Sequence, residues 1–228
     1  MAANLILGNG LLGSELVKQT GWDCVTLFGN GFDILEPFGY DLFMADYNQI
    51  INCVGWTKNH SMREINMDIN FKAVVDLVEY CNCKRKKLVQ ISSDILYHGS
   101  MSSASENDVP VHAPNWYAYS KLLADGYVQS CCKDHLLIRT AFKPRPFPFP
   151  VAYNKLGNFD YVDVIAGLIV KLIEKDAQGV YNVGTHMKTI LNHARETVPD
   201  IQLDDRAPFV DVSMTLNKMH ATLRDSGS

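Results

Sequence analysis

Three side chains in this sequence have the types and order needed to move a proton beside a carbonyl group. They are Ser93, within Ser92-Ser93-Asp94, and the pair Tyr117 and Lys121. Tyr117 and Lys121 stand at i and i+4, hence on one face of a helix. A phenol with an ordinary pKa of ~10 is a poor acid or base near neutrality. A lysine ammonium one turn away, joined by a bound cationic ring, would favour the phenolate and lower that pKa. Ser93 would hydrogen-bond the substrate oxygen while the proton moves. An isolated Tyr-x-x-x-Lys is common on surface helices, and a serine after a strand commonly caps a turn. What lifts the joint reading is the order of the parts, with a glycine turn upstream of both.

That turn is Gly8-Asn9-Gly10-Leu11-Leu12-Gly13, a G-x-G-x-x-G between a short apolar run and a helical pattern. Glycines at these places permit a tight turn, close approach of a pyrophosphate to the backbone, and close helix packing. The helix N-terminus then faces the anion. A dinucleotide is the expected ligand, held by the backbone from Gly8 through Gly13. The acid that usually ends the second strand is missing. Phe28 stands there, followed by Gly29-Asn30-Gly31, and Asp33 is a late substitute for a ribose ligand. No Lys or Arg occurs from Gln19 to Thr57, so nothing local would hold a 2′-phosphate, and NAD and NADP both stay open.

The elements that must position these groups alternate. Strands are expected at Asn4–Leu7, Cys24–Phe28, Gln49–Gly55, Lys87–Ile91, His135–Arg139 and Gly179–Val183. Helices are expected at Leu11–Lys18, Ile65–Tyr80, Asn115–Ser130 and Val162–Lys175, with weak ones at the end. Strand–helix alternation means βαβ crossovers, so the predicted fold is α/β, a Rossmann-type doubly wound parallel sheet. The site then belongs at the C-terminal strand ends. Four prolines from Pro144 to Pro150 interrupt the rhythm and force an extended or looped segment. The expected division is a dinucleotide-binding core over 1–142 and a small, shortened substrate lobe over 143–228, joined as one globular unit.

Composition agrees with a single soluble unit. The 228 residues are 47% hydrophobic and 20% charged, with a net charge of −4, which leaves room for a core and disfavours nucleic acid or an anionic membrane as partner. The run Lys84-Arg85-Lys86-Lys87 reads as a solvated loop. No apolar stretch approaches the ~20 residues of a membrane span, and the N-terminus lacks a secretory pattern, so an intracellular, cytoplasmic protein is expected. Six cysteines form no Cys-x-x-Cys pair and match no zinc spacing, so no metal is expected; they read as buried or partly buried thiols.

Taken together, these motifs resemble the extended short-chain dehydrogenase/reductases, most closely the dTDP-4-dehydrorhamnose reductase family. The resemblance is carried by Ile91-Ser92-Ser93-Asp94, Glu106, Asp108, Pro110, Pro114-Asn115 and Tyr117 through Lys121-Leu122. Asn52 through Thr57 is similar to the family segment beside the cofactor, which implies roles for Val54 and Gly55. Asp33-Ile34 is similar to the pair that meets the adenine, and Asn70 to the helix asparagine near the catalytic lysine. The sequence departs from the family in three ways. Its glycine turn is one residue shorter, Phe28-Gly29 replaces a polar pair, and the chain is shorter after Arg139. Ile95 follows Asp94 where sugar-nucleotide 4,6-dehydratases carry an acid, which disfavours dehydration.

The resemblance implies an NAD(P)-dependent reductase of a keto group on a nucleotide-activated deoxysugar. Tyr117 would give the proton, Lys121 would lower its pKa and hold the nicotinamide ribose, and Ser93 would polarise the carbonyl. Lys143 and Arg145, stiffened by their prolines, are expected to clamp the substrate diphosphate, with a solvated linker as the alternative. The rivals are a sugar-nucleotide epimerase with retained NAD and a non-catalytic cofactor-binding regulatory subunit. Oligomeric state stays open, a homo-oligomer included.

Overall fold

The computed structural model describes residues 3–224 apart from 205 and 207. Its centre is a six-stranded parallel sheet: β1 (Asn4–Leu7), β2 (Asp23–Val25), β3 (Gln49–Asn52), β4 (Lys87–Ile91), β5 (His135–Arg139) and β6 (Gly179–Asn182). Their spatial order is β6-β5-β4-β3-β1-β2. The order reverses beside β1, which leaves a crevice at the strand ends for a ligand.

Side-chain alternation divides the sheet between two cores. Leu5, Leu7, Ile50, Leu88 and Leu137 face one way and pack on Val74, Leu77 and Val78 of helix α2 (Ala73–Lys84) and Val128 of helix α3 (Trp116–Cys131). Ile6, Ile51, Val89, Leu136 and Ile138 face the other way, onto Leu12 and Leu16 of helix α1 (Leu11–Thr20) and Ile165 and Ile169 of helix α4 (Val162–Glu174). Strands buried on both faces read as continuous apolar runs, and these do.

Several elements differ from the sequence reading for local reasons. The second strand stops at Val25, because Thr26 caps a short helix, Leu27–Asn30, by accepting from Gly29 N at 2.9 Å. Phe28 is therefore on that helix and fully exposed, not at a strand end. The helix expected over 65–80 runs from 63 to 84 and contains a π turn at Asp68–Lys72. The basic run is half buried: Lys86 Nζ donates to the carbonyls of Ala45 (2.8 Å) and Tyr47, and Lys87 pairs with Asp176. Cys83 and Cys131 are exposed thiols.

The stretch after 143 contributes to the central sheet and to a smaller one. Helix α4 and strand β6 return to the core, while short strands at Lys155–Gly157, Lys188–Thr189 and Val210–Asp211 form a small three-stranded sheet beside it. Among the described residues, no helix is long and apolar enough to cross a membrane.

A buried ion pair ties α3 to β5. Arg139 donates to both carboxylate oxygens of Asp125, at 3.0 and 2.7 Å, and to Tyr97 Oη at 2.9 Å. Ser92 Oγ donates to the same carboxylate at 2.9 Å. Breaking such a pair strands a charge in the interior. Arg139→Met should therefore cost about 3–5 kcal/mol of folding stability, read from the urea midpoint.

Candidate active site

A cavity of about 880 Å³ opens at the C-terminal ends of the core strands. Its wall includes Gly10, Leu11 and Leu12 of the glycine turn, Val54 and Gly55 after β3, Ser93 after β4, Tyr117 and Lys121 of α3, and Lys143. The glycine turn, the strand-end serine and the Tyr/Lys pair thus meet in one space.

The glycines divide the labour. Gly8 has φ +89°, a conformation that favours glycine, and an added Cβ would stand 2.9 Å from Val54 Cγ2. A Cβ on Gly13 would fall 1.9 Å from Gly8 O, so Gly13 lets α1 sit against the turn. Gly10 is different: a Cβ there meets nothing within 4 Å, and its residue faces the cavity. Gly10 also caps α1 without any side-chain hydrogen bond, leaving the first helical N–H groups open to an anion. A dinucleotide pyrophosphate fits this cradle.

Asn115 starts α3 by accepting from Ala118 N at 2.9 Å, which sets Tyr117 and Lys121 on the cavity side of the first turns. Ser93 accepts from Ile95 N at 3.3 Å, so it caps the turn after β4, and it shares the cavity wall with Tyr117. The Tyr117 ring is stacked on His60 at 4.6 Å and 16°. Lys121 Nζ donates to Ile91 O at 2.6 Å.

Electrostatics set the resting state of the pair. Burial pushes the Tyr117 phenol above its ordinary value; the nearby Ser93 hydroxyl counters this and the Asp94 charge adds to it. Burial likewise brings Lys121 down to about 8, against the opposing pull of Asp125 and Cys53. Without a cationic ring beside it, the phenol keeps its proton at neutral pH instead of losing it. That is the protonation state a proton donor requires.

Other sequence candidates lie outside the cavity wall. Asn70, on the π turn, accepts from Trp56 N at 2.7 Å and donates to Trp56 O at 3.0 Å, and so holds the loop that carries Val54 and Gly55. Asn9 uses its carbonyl to accept from Ser14 Oγ at 2.6 Å. Asp33 accepts from Leu35 N at 2.9 Å, and Ile34 is core. Arg145 lies 4.1 Å over the Tyr161 ring and pairs loosely with Asp163. Lys143 does enter the cavity, between the faces of Phe149 and Tyr153 at 5.6 and 5.7 Å.

Sequence spacing gave no sign of three wall groups. His60 is brought under Tyr117 by the loop before residue 63. Thr140 has a buried hydroxyl with no hydrogen-bond partner. Lys155 reaches across from the small sheet to Asp94 at 2.6 Å. Outside the cavity, Asp160, His193 and Glu196 have ligand atoms within 4.8 Å of one another. Lys188 Nζ already lies 3.0 Å from Asp160 and 3.3 Å from Glu196, so an ammonium supplies the positive charge there.

Comparison with known proteins agrees with this geometry. The family model described as the RmlD substrate binding domain matches residues 3–143, more than half of the chain. No curated protein matches. Among solved structures, the chain is similar to a hypothetical dTDP-4-dehydrorhamnose reductase from Sulfolobus tokodaii, with TM-score 0.81 and 20% identity over 96% of this chain and 93% of that one. It is equally similar to the dTDP-4-dehydrorhamnose reductase of Bacillus anthracis solved with NADP, with TM-score 0.81 and 19% identity over 97% and 93%. The Bordetella bronchiseptica enzyme WbmG, solved with NAD and UDP, has TM-score 0.79 and 13% identity over 98% and 88%. At these identities the likeness is one of fold, and it extends through the C-terminal part.

Proposed function

The chain belongs to the RmlD substrate binding domain family, and from that premise we propose that it is an NAD(P)-dependent reductase of a keto group on a nucleotide-activated deoxysugar. The observation that carries this reading is the convergence of Gly10, Ser93, Tyr117 and Lys121 on one cavity. Their persistence also favours an enzyme over a cofactor-binding subunit.

The reduced nicotinamide, when bound, supplies a hydride to the carbonyl carbon. The chain supplies the rest. The N-terminus of α1 and Gly10 hold the pyrophosphate, and Val54 and Gly55 line the same wall. Ser93 donates a hydrogen bond to the carbonyl oxygen. Tyr117 passes its phenolic proton to that oxygen as negative charge grows on it, so the ketone ends as an alcohol. The Lys121 ammonium stabilises the phenolate left behind, and the stacked His60 keeps the Tyr117 ring in place.

Lys143 is the anion contact in this scheme. It is half-buried, desolvation lowers its pKa, and among the described residues it has no carboxylate at ion-pair distance. A substrate diphosphate would restore the missing partner. Arg145 lies outside the cavity wall, its side chain set against Tyr161 and Asp163.

The test is loss of absorbance at 340 nm when the protein is mixed with NADH or NADPH and a panel of 4-keto sugar nucleotides. Turnover on at least one is expected; none on any would end the reading. Lys143→Ala should raise KM for that substrate several-fold while leaving cofactor affinity unchanged. An unchanged KM would move the diphosphate site elsewhere.

A further inference from the structure

Asp94 directly follows Ser93 and is almost wholly buried at the cavity wall. Its backbone N–H donates to Thr140 O at 3.1 Å, which fixes the carboxylate beside the strand ends. A bare carboxylate there would work against proton donation. It would oppose phenolate formation at Tyr117 and repel an anionic substrate. Lys155, on the short strand Lys155–Gly157 of the small sheet, places its ammonium 2.6 Å from Asp94 Oδ2. That strand is held on both sides, by Lys188–Thr189 and Val210–Asp211. The ion pair therefore bridges the cavity, from the loop that carries Ser93 to the C-terminal part.

We propose that Lys155 is a positioning residue for proton donation, whose ion pair holds the Asp94 carboxylate and cancels its charge beside Tyr117. The inference rests on the reductase reading. Other titratable groups around the phenol are His60, stacked on its ring, Lys121 one turn along α3, Cys53 and His98 in the wall, and Lys143 and Tyr153 opposite. None of these makes a hydrogen bond or ion pair with Asp94 among the described residues. The Asp94 charge nevertheless raises the pKa of Tyr117, Lys143 and Tyr153, so all three lie within its field.

A plain structural strut and a charge-cancelling one separate by sign. A strut predicts that losing either partner does the same harm. Charge cancellation predicts opposite shifts in the alkaline limb of the kcat–pH profile, measured on the enzyme with NADH and its keto substrate. Lys155→Met should move the limb up by about one pH unit and lower kcat at neutral pH about tenfold. Asp94→Asn should move it down by a similar amount, and the double variant should return it close to the wild-type position. Shifts in one direction, or none, would overturn the proposal. Where Lys155→Met fails to fold, Asp94→Asn alone decides, since an unmoved limb has the same force. A substrate-free readout keeps this distinct from failure of the reductase reading. The 295 nm titration of Tyr117, taken as the difference from Tyr117→Phe, should have its midpoint lower in Asp94→Asn than in the wild type. If the midpoint does not move, the inference fails whatever the turnover.

Discussion

Replacing Tyr117 by phenylalanine is expected to lower turnover by about 10²–10⁴ while leaving dinucleotide affinity intact. The change removes one oxygen and keeps the ring, so the stack on His60 at 4.6 Å and the packing of α3 survive. What disappears is a wall hydroxyl that shares the cavity with Ser93 and has a lysine one turn away along α3. Single-turnover oxidation of bound NADH separates the chemical step from product release, and the loss should fall on the chemical step. Wild-type turnover in Tyr117→Phe would mean that the proton comes from another group, with the carry-over of the Tyr-x-x-x-Lys role failing with it.

Gly10→Val is expected to abolish dinucleotide binding with the fold retained. The two halves of this expectation have separate grounds. Gly10 has an ordinary negative φ of −63°, and a Cβ there meets no packed neighbour within 4 Å, so the folded chain accepts a branched side chain. The space it would fill is the cavity in front of the α1 N-terminus, where the pyrophosphate must approach the backbone. Gly13→Val, by contrast, should unfold the region, because its Cβ would fall 1.9 Å from Gly8 O. Fluorescence titration with NADH and NADPH, alongside circular dichroism, distinguishes a lost site from a lost fold. Unchanged affinity in Gly10→Val would sink the dinucleotide reading.

Much of this protein is determined by its sequence alone, because the relevant forces act over a few residues. Apolar runs of four or five residues, each ended by a small or polar group, specify buried parallel strands, and β1, β4 and β5 lie where those runs fall. Gly8, Gly10 and Gly13 specify a turn because each answers a backbone need that few other residues meet. Tyr117 and Lys121 share a face by helical period once Asn115 caps the helix. Where a local competitor acts, periodicity misleads: the Thr26 cap ends β2 three residues early, and the π turn carries Asn70 to the Trp56 backbone instead of the cavity.

Other properties arise only when distant segments meet. Arg145 and Lys143 are two residues apart and look equivalent as cations. The tertiary structure stacks one on Tyr161 and sets the other between Phe149 and Tyr153. The phenol of Tyr117 is raised in the chain by itself, because the elements packed around it desolvate it and Asp94 adds its charge. The Lys155–Asp94 pair joins residues 61 positions apart, and His60 reaches Tyr117 from a different crossover. Charge and burial depend on everything packed around a group, so a one-dimensional pattern can nominate Ser93, Tyr117 and Lys121 but cannot set the field in which they work.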